Sequence, residues 1–436
     1  MKIRRSWTDM VRRWGRPYAF ALLLLASLAV VGVLGRWGGR ASTAEPVPPK
    51  PGVNLIAYAD LDGQIMTAQP DGSSPVKLSP ERGFFTWPVW SPDSNQLAFS
   101  GIPLDGNMRG NLTLYHVDLD DAEPHAIFEN APGMGPILNG MPHYPIWAPD
   151  SGRLAFMASA PQGLTLLIVD PRNGDAPGVL IRRAPLYASW SGDSRRLVVH
   201  GGPDHFVADV GGEASVRSLG ISAPAYRVPA WWPPGDKIGY LRQDELGRTG
   251  LYVADVDSGE REMFQQLEGG AAFLWSPDGS SLAVGHSRSG NSFVYRGVAL
   301  FTPEGARLSV EIRSEVLAFS WSPDSRKLAY VVPSGTRSVI RWMILDLATE
   351  ERWPLVDFTP SLEQLTIFQF FDQFAYSHSQ WSPDSDALVF AGVLSAEGVS
   401  ASLGTQQASQ IFVISTEPFS SAEPIAEGIV AVWSPR

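Results

Sequence analysis

Few residues in this 436-residue chain have the type and spacing to do chemistry. The seven histidines, His116, His125, His143, His200, His205, His286 and His378, are scattered, and none falls in the His-Glu-x-x-His spacing of a zinc-binding helix. His200 and His205 are close in sequence but read as lying across a hairpin turn, so no metal is assigned to them. There is no cysteine, which excludes disulfides, thiolate metal sites and a cysteine nucleophile. Gly285-His286-Ser287-Arg288-Ser289 approaches the Gly-x-Ser-x-Gly nucleophile turn but lacks its last glycine and follows a strand-like run. Asp60-Leu61-Asp62-Gly63, Asp118-Leu119-Asp120-Asp121 and Asp255-Val256-Asp257-Ser258 pair carboxylates, yet without the twelve-residue ligand series and final Glu of a calcium loop. Asp and Gly are also the residues that tight turns demand. No glycine-rich phosphate loop opens a helix. The expectation is no catalytic residue, no metal and no cofactor.

Binding chemistry is better represented. Trp87, His143, Tyr144, Tyr187, Tyr226, Arg227, Tyr376 and His378 are large polar-aromatic or basic residues that stand just before strand-like runs. Aromatics and arginine dominate binding hot spots, so these eight are the candidate ligand or partner contacts. Packing between elements is the competing reading. A second candidate is the segment Phe358–Tyr376. Ser361-Leu362-Glu363-Gln364 resembles a capping box, and Leu362, Leu365, Phe368, Phe371 and Phe374 recur at spacings of three or four. This predicts a short amphipathic helix whose Phe368, Phe371 and Phe374 either cap the body or meet a partner.

The elements that must position these residues are set by a repeat. Trp90-Ser-Pro-Asp93 recurs as Trp147-Ala-Pro-Asp150, Trp190-Ser-Gly-Asp193, Trp231-Trp-Pro-Pro234, Trp275-Ser-Pro-Asp278, Trp321-Ser-Pro-Asp324 and Trp381-Ser-Pro-Asp384, with Trp433-Ser-Pro435 at the end. The intervals run from 41 to 60 residues, the period of solenoids and propellers. Seven residues after each of the first seven tryptophans stands Leu97, Leu154, Leu197, Ile238, Leu282, Leu328 or Leu388, opening an apolar run. The pattern predicts that tryptophan ends an inner strand, proline breaks the ladder, and Asp with Ser or Gly makes the hairpin turn. Two further strands per unit give four antiparallel strands, a propeller blade. Trp433 has no strand after it, whereas Asn54–Ala59 looks like a strand that should follow such a tryptophan. The two ends of residues 52–436 should therefore share one blade, which leaves no open sheet edge. The fold expected is all-β, an eight-bladed β-propeller. It has seven blades if one of the less regular units, 185–220 or 226–267, is not a blade.

The Trp-Ser-Pro-Asp repeat followed by a Leu-Ala-Phe-like strand resembles the TolB-like family of WD-type propellers over about residues 52–436. That resemblance implies a periplasmic or secreted propeller that binds an envelope protein. TolB-type proteins carry an α/β domain before the propeller, whereas here a spacer and an apolar segment precede it. Similar propellers also serve as the gating half of prolyl-oligopeptidase-like enzymes, but no α/β segment long enough for a hydrolase remains in this chain.

Residues 1–50 carry nine Lys/Arg against two Asp/Glu, while the rest of the chain is strongly acidic and the whole has a net charge of -11. An acidic body is a poor partner for phosphate backbones, so nucleic-acid binding is not expected. Pro17–Gly35 is an uncharged run of 19 residues, enough for one membrane crossing, behind a basic tail at 1–16. We read it as a transmembrane anchor that leaves the propeller outside the cytoplasm, or as a signal segment whose cleavage would release it. Residues 36–51 are Gly/Pro-rich and read as an extended linker. The function expected is a membrane-anchored module that binds an envelope or extracellular protein or peptide through its channel-mouth loops. The alternatives are a lyase- or hydrolase-type enzyme, or a small-molecule or glycan sensor, using His, Tyr and Arg at that mouth.

Overall fold

The computed structural model describes residues 54–436 except 105–110, 131–140, 161–162, 223–227, 234, 236, 245–247, 268, 288–293, 336–337 and 396–407. The expected basic tail, anchor and linker lie outside the described residues. Among those described, no helix is long and apolar enough to cross a membrane.

The regular structure of the described chain is almost entirely β, built as antiparallel sheets in which, apart from one pairing of the first strand with the last, strands neighbour one another in sequence order. This is a β-propeller. Each regular unit begins with an inner strand that ends in the repeat tryptophan, as in Leu186–Trp190 or Gly270–Trp275. A tight turn leads to the second strand, and two more follow outward. Burial falls from the inside out. Leu186–Trp190 is wholly buried, whereas the fourth strand of that unit, Ser215–Ser222, is mostly exposed.

The tight turn explains the motif. In the Trp321 unit the Ser322 hydroxyl donates to Asp324 at 2.6 Å and accepts the Lys327 amide at 2.9 Å, closing the hairpin. The same pair of bonds recurs from Ser91, Ser191, Ser276 and Ser382. Burial works against the ionised Asp93, Asp193, Asp278 and Asp324, but the serine hydroxyl and turn amides outweigh it and hold each carboxyl below its usual range. The residue after the aspartate takes a left-handed conformation, with φ between 61° and 67° at Ser94, Ser151, Ser194, Ser325 and Ser385.

Two sets of hydrogen bonds tie most of the units to a neighbour. The indole N–H of Trp147, Trp190, Trp231 and Trp321 donates to the carbonyl of the residue just before the preceding repeat tryptophan, namely Val89, Ile146, Ser189 and Leu274, at 3.0–3.3 Å. Trp90 does the same to Val432, joining the second unit to the first. On the turn side, the backbone amides of Asp93, Asp150, Asp278 and Asp324 donate to the hydroxyls of Ser151, Ser194, Ser325 and Ser385 in the next unit. Arg436, in the aspartate position of the last motif, completes this series on Ser94.

The expected closure is present. Ile56–Ala59 pairs antiparallel with Val430–Trp433, in the register Ile56 with Trp433 through Ala59 with Val430. Ile56, Tyr58, Val389, Ile411 and Trp433 then form one apolar cluster across the two ends of the chain.

Two units depart from the pattern. The Trp231 unit carries Trp232 and Pro234 at the motif positions where most other turns have serine and aspartate. There Trp232 stacks on Trp275 at 4.7 Å and donates to the Gly279 carbonyl, and the Trp275 indole N–H is left without a partner. The other departure is a seven-stranded sheet. The four strands from Ala318–Trp321 to Arg352–Pro360 continue into Ala387–Leu394, Gln410–Ser415 and Ala422–Glu427 through pairs such as Phe358 with Leu394. The last three strands have no full inner strand. Trp381 contributes an isolated bridge to Leu388, and the segment before it forms two short helices, α1 (Leu362–Gln369) and α2 (Phe371–Phe374).

Candidate functional site

The helical segment before Trp381 runs into the space that the inner strands surround, and the candidate site is built on it. Ser361 caps α1 by accepting the Gln364 amide at 3.0 Å. The return half of a capping box is not made. The Gln364 side chain turns outward and accepts the Ala391 amide at 3.0 Å, while the Gln380 carbonyl accepts the Val389 amide at 2.8 Å. These two residues thus satisfy the edge of Ala387–Leu394 where an inner strand would have run.

Four phenylalanines fill the middle. Phe368 meets Trp342 edge-on at 5.3 Å, and Phe371 packs on Phe319 at 4.5 Å and Tyr295 at 5.7 Å. Phe374 lies on the other side, stacked on Trp87 at 5.4 Å and edge-on to Tyr144 and His378. Phe370, between the helices, joins the same apolar cluster as Phe374. The Tyr144 hydroxyl donates to the Gln373 carbonyl at 2.9 Å. The insertion therefore spans from the Trp90 and Trp147 units to the Trp321 unit and plugs the channel. Ring pairs of this geometry contribute about 0.5–1.5 kcal/mol each beyond burial.

The backbone is shaped to aim these rings. Trp87 and Tyr144 adopt φ of 57° and 53°, a left-handed conformation that costs a bulky residue on the order of 1–3 kcal/mol. Each sits within a register irregularity of its inner strand, between Thr86 and Val89 and between His143 and Ile146. Such a bulge redirects a side chain out of the pleat, here toward Phe374.

The candidate residues divide as follows. Trp87, Tyr144 and His378 converge around Phe374, all buried, with His378 only 2% exposed. Tyr187 is buried, with its ring 6.0 Å from that of His200. His143 is half-buried, with Nδ1 3.0 Å from the Met141 carbonyl. Tyr226 and Arg227 lie outside the described residues. Phe368, Phe371 and Phe374 are buried. This corrects the picture of an open mouth with aromatic anchors: the plug covers Trp87, Tyr144 and His378, and the phenylalanines face inward because the channel is where their apolar surface leaves water. Among the described candidates, Tyr376 alone is substantially exposed, at 44%.

Burial also sets the site's electrostatics. It lowers the pKa of His378 to about 3 and of His143 to about 4, in the latter against the pull of the Met141 hydrogen bond, so both rings are neutral at pH 7. Burial raises the Tyr144 hydroxyl above its ordinary value and lifts Glu363, in the first turn of α1, to about 7. His378 Nδ1 is 2.8 Å from the Ser377 hydroxyl, while its Nε2 has no partner.

The strap Ala375–Ser379 leaves a cavity on each side. One, of about 240 Å³, is lined by Leu274, Ala318, Trp321, Phe371 and Trp381 among others. The other, of about 220 Å³, is lined by Trp90, Pro92, Trp147, Ser377, Trp433 and Pro435. Tyr376 lines both. Sequence reasoning missed Gln380 and Ala318, and gave Gln364 a capping role instead of its bond to the Ala391 amide. A usable signal was the offset from the repeat: Trp87, Tyr144, Tyr187, Ala318 and His378 all stand three residues before a repeat tryptophan.

No family model matches the chain. A curated relative, the Tol-Pal system protein TolB of Alcanivorax borkumensis, is 37% identical over 84 residues, which is 19% of this chain and 19% of the relative. The chain thus spans about a fifth of the curated relative it matches. Among solved structures, the dihydro-heme d1 dehydrogenase NirN in complex with DHE aligns with a TM-score of 0.56 at 14% identity, over 90% of this chain and 77% of that one. A prolyl endopeptidase aligns with a TM-score of 0.51 at 15% identity, over 94% and 60%. At these identities the structural matches speak for the fold alone. The sheets make this chain a β-propeller, and over the 84 matched residues its sequence is similar to TolB.

Proposed function

We propose that this protein is an eight-bladed propeller, held outside the cytoplasm by its N-terminal segment, that binds an envelope or extracellular protein and does no chemistry of its own. The count of eight is supported by the eight repeat tryptophans and by the Trp90 indole bond to Val432, which joins the second unit to the first.

The observation that carries the binding reading is the plugged channel. A propeller enzyme working at its axis needs polar groups open to substrate, with pKa values near the working pH. Here the axis is filled by Phe368, Phe371 and Phe374, and the histidine among them is neutral and buried. Trp87 and Tyr144 serve by holding the plug. The result is a cross-braced, acidic body whose outer faces and connecting loops meet the partner. The TolB relative supports this reading through the part of its sequence that matches.

The test is affinity capture from solubilised envelope proteins with the intact chain as bait, beside a thermal-shift screen of small molecules and glycans. A stoichiometric protein partner, with no compound raising the melting temperature, is the expected result. A compound that stabilises the protein and is turned over by it, with no protein retained, would overturn the proposal.

A further inference from the structure

Between the units led by Trp90 and Trp147 the body opens into a cleft of about 880 Å³, more than three times either the 240 Å³ or the 220 Å³ cavity beside Tyr376. One wall is Pro124–Asn130, the fourth strand of the Trp90 unit and the last in its sheet. The other is the 170–177 hairpin, which joins the last two strands of the Trp147 unit. A register irregularity between Leu114 and Tyr115 leaves Ile127 without a partner across the ladder. Such a bulge re-aims its side chain, and Ile127 and Phe128 both pack against the apolar cluster shared with the Trp147 unit, where Phe128 meets Phe156 at 5.1 Å. Both stay only half-buried. With the exposed Ala126 and Ala176 they leave apolar surface open in the cleft.

The rim is acidic. Asp118, Asp121, Glu129, Asp170 and Asp175 line the cleft, and among the described residues Arg172 is the one Lys or Arg that lines it. Arg172 is committed to Asp118, donating from Nε at 3.1 Å and from Nη2 at 2.9 Å. Neutral donors hold three of the other carboxylates, and these position a charge without cancelling it. Asp121 accepts the Glu123 amide, Glu129 the Asn111 side chain and Asp170 the Arg172 amide, at 3.0–3.1 Å. Among the described residues no three carboxylates or histidines come together as a metal site. The negative charge is spread along the cleft, so it suits several cations held at intervals rather than one ion. A cleft between a strand and a hairpin admits a segment of chain, not a flat protein face. The same field repels phosphate backbones and anionic lipid.

We propose that this cleft is where the protein partner docks, and that it enters with an extended segment in which Lys or Arg are interspersed with apolar side chains. The apolar side chains cover Ile127 and Phe128. The cations meet Glu129 on one wall and Asp175 on the other, which sets the direction of the segment. This rests on the reading of the protein as a partner-binding module, and narrows it to one surface and one partner chemistry.

The test uses the full chain and three short synthetic peptides as probes. One combines Lys and Arg with Leu, a second replaces its Leu by Ser, and a third replaces its basic residues by Glu. The first should bind at least about tenfold tighter than either of the others. Glu129→Gln with Asp175→Asn removes one exposed carboxylate from each wall and should weaken that binding about tenfold. Glu350→Gln with Glu351→Gln removes two exposed carboxylates from the corresponding hairpin of the Trp321 unit and should change it by less than about twofold. Ala176→Arg, at an exposed position, should block the cleft and abolish binding. Equal weakening by the two double variants would mean attraction to the acidic body as a whole. That result, no preference for the first probe, or binding that survives Ala176→Arg would each overturn the proposal. None of them decides the capture experiment, which asks whether the body binds a partner at all.

Discussion

The unit led by Trp321 and the unit led by Trp381 carry the same Trp-Ser-Pro-Asp turn, held by the same serine and aspartate bonds. They differ in what comes before it. Trp321 ends a four-residue strand, Ala318–Trp321, paired along its length with Lys327–Pro333. Trp381 ends a helical segment that makes one bridge to the sheet and otherwise fills the channel. One motif thus holds the turn whatever precedes it. The inner-strand position is separable from the turn, and this chain has used one such position to seal its axis. The stability of the first arrangement rests on ladder hydrogen bonds, and that of the second on ring packing and two glutamines.

The largest effect that would break this comparison is Phe371→Ala. The side chain is 5% exposed and packs between Phe319 and Tyr295, so its removal should cost about 3–5 kcal/mol in chemical denaturation. A loss below about 1 kcal/mol would mean that the plug is not part of the core. Next is Glu363, whose carboxyl keeps its proton up to about pH 7 when folded, while an unfolded glutamate releases it near pH ~4.3. The stability associated with it is full below that lower value and falls as pH rises through 7. Glu363→Gln should therefore match the wild type at pH 4 and exceed it at pH 8 by on the order of 3 kcal/mol, read from paired melts. The smallest effect sharpens the other half. Asp324→Ala removes turn bonds to Ser322 and Arg326 and should cost about 1 kcal/mol at pH 7, fading as pH falls from ~4, where the unfolded carboxylate takes up its proton, through the lowered folded pKa.

The turns and the closure could be read from the chain because each is local or periodic. Trp, Ser, Pro and Asp at fixed offsets specify one hairpin, and Asn54–Ala59 shows its strand character without a preceding tryptophan. The Phe-rich segment was legible as a helix for the same reason, and its choice between cap and partner contact was not. That choice depends on the size of the space around Ala318 and on bulges that turn Trp87 and Tyr144 inward, neither of which periodicity records. Gln364 misled for a related reason. In sequence it completes a capping box, but the unpaired Ala391 amide competes for its side chain and wins. Tyr187 looked equivalent to Tyr144, but its ring lies against His200, 6.0 Å away, a contact set by the neighbouring strand rather than by periodicity.

The central claim is that the insertion belongs to the core. Amide hydrogen exchange in the intact protein tests it directly, by comparing residues 362–374 with the inner strand Ala318–Trp321. If the plug is core, both sets open only when the whole propeller opens, and their protection agrees within about tenfold. Exchange through the insertion about a thousandfold faster than through the strand would show a segment that leaves the channel on its own, and would contradict the account.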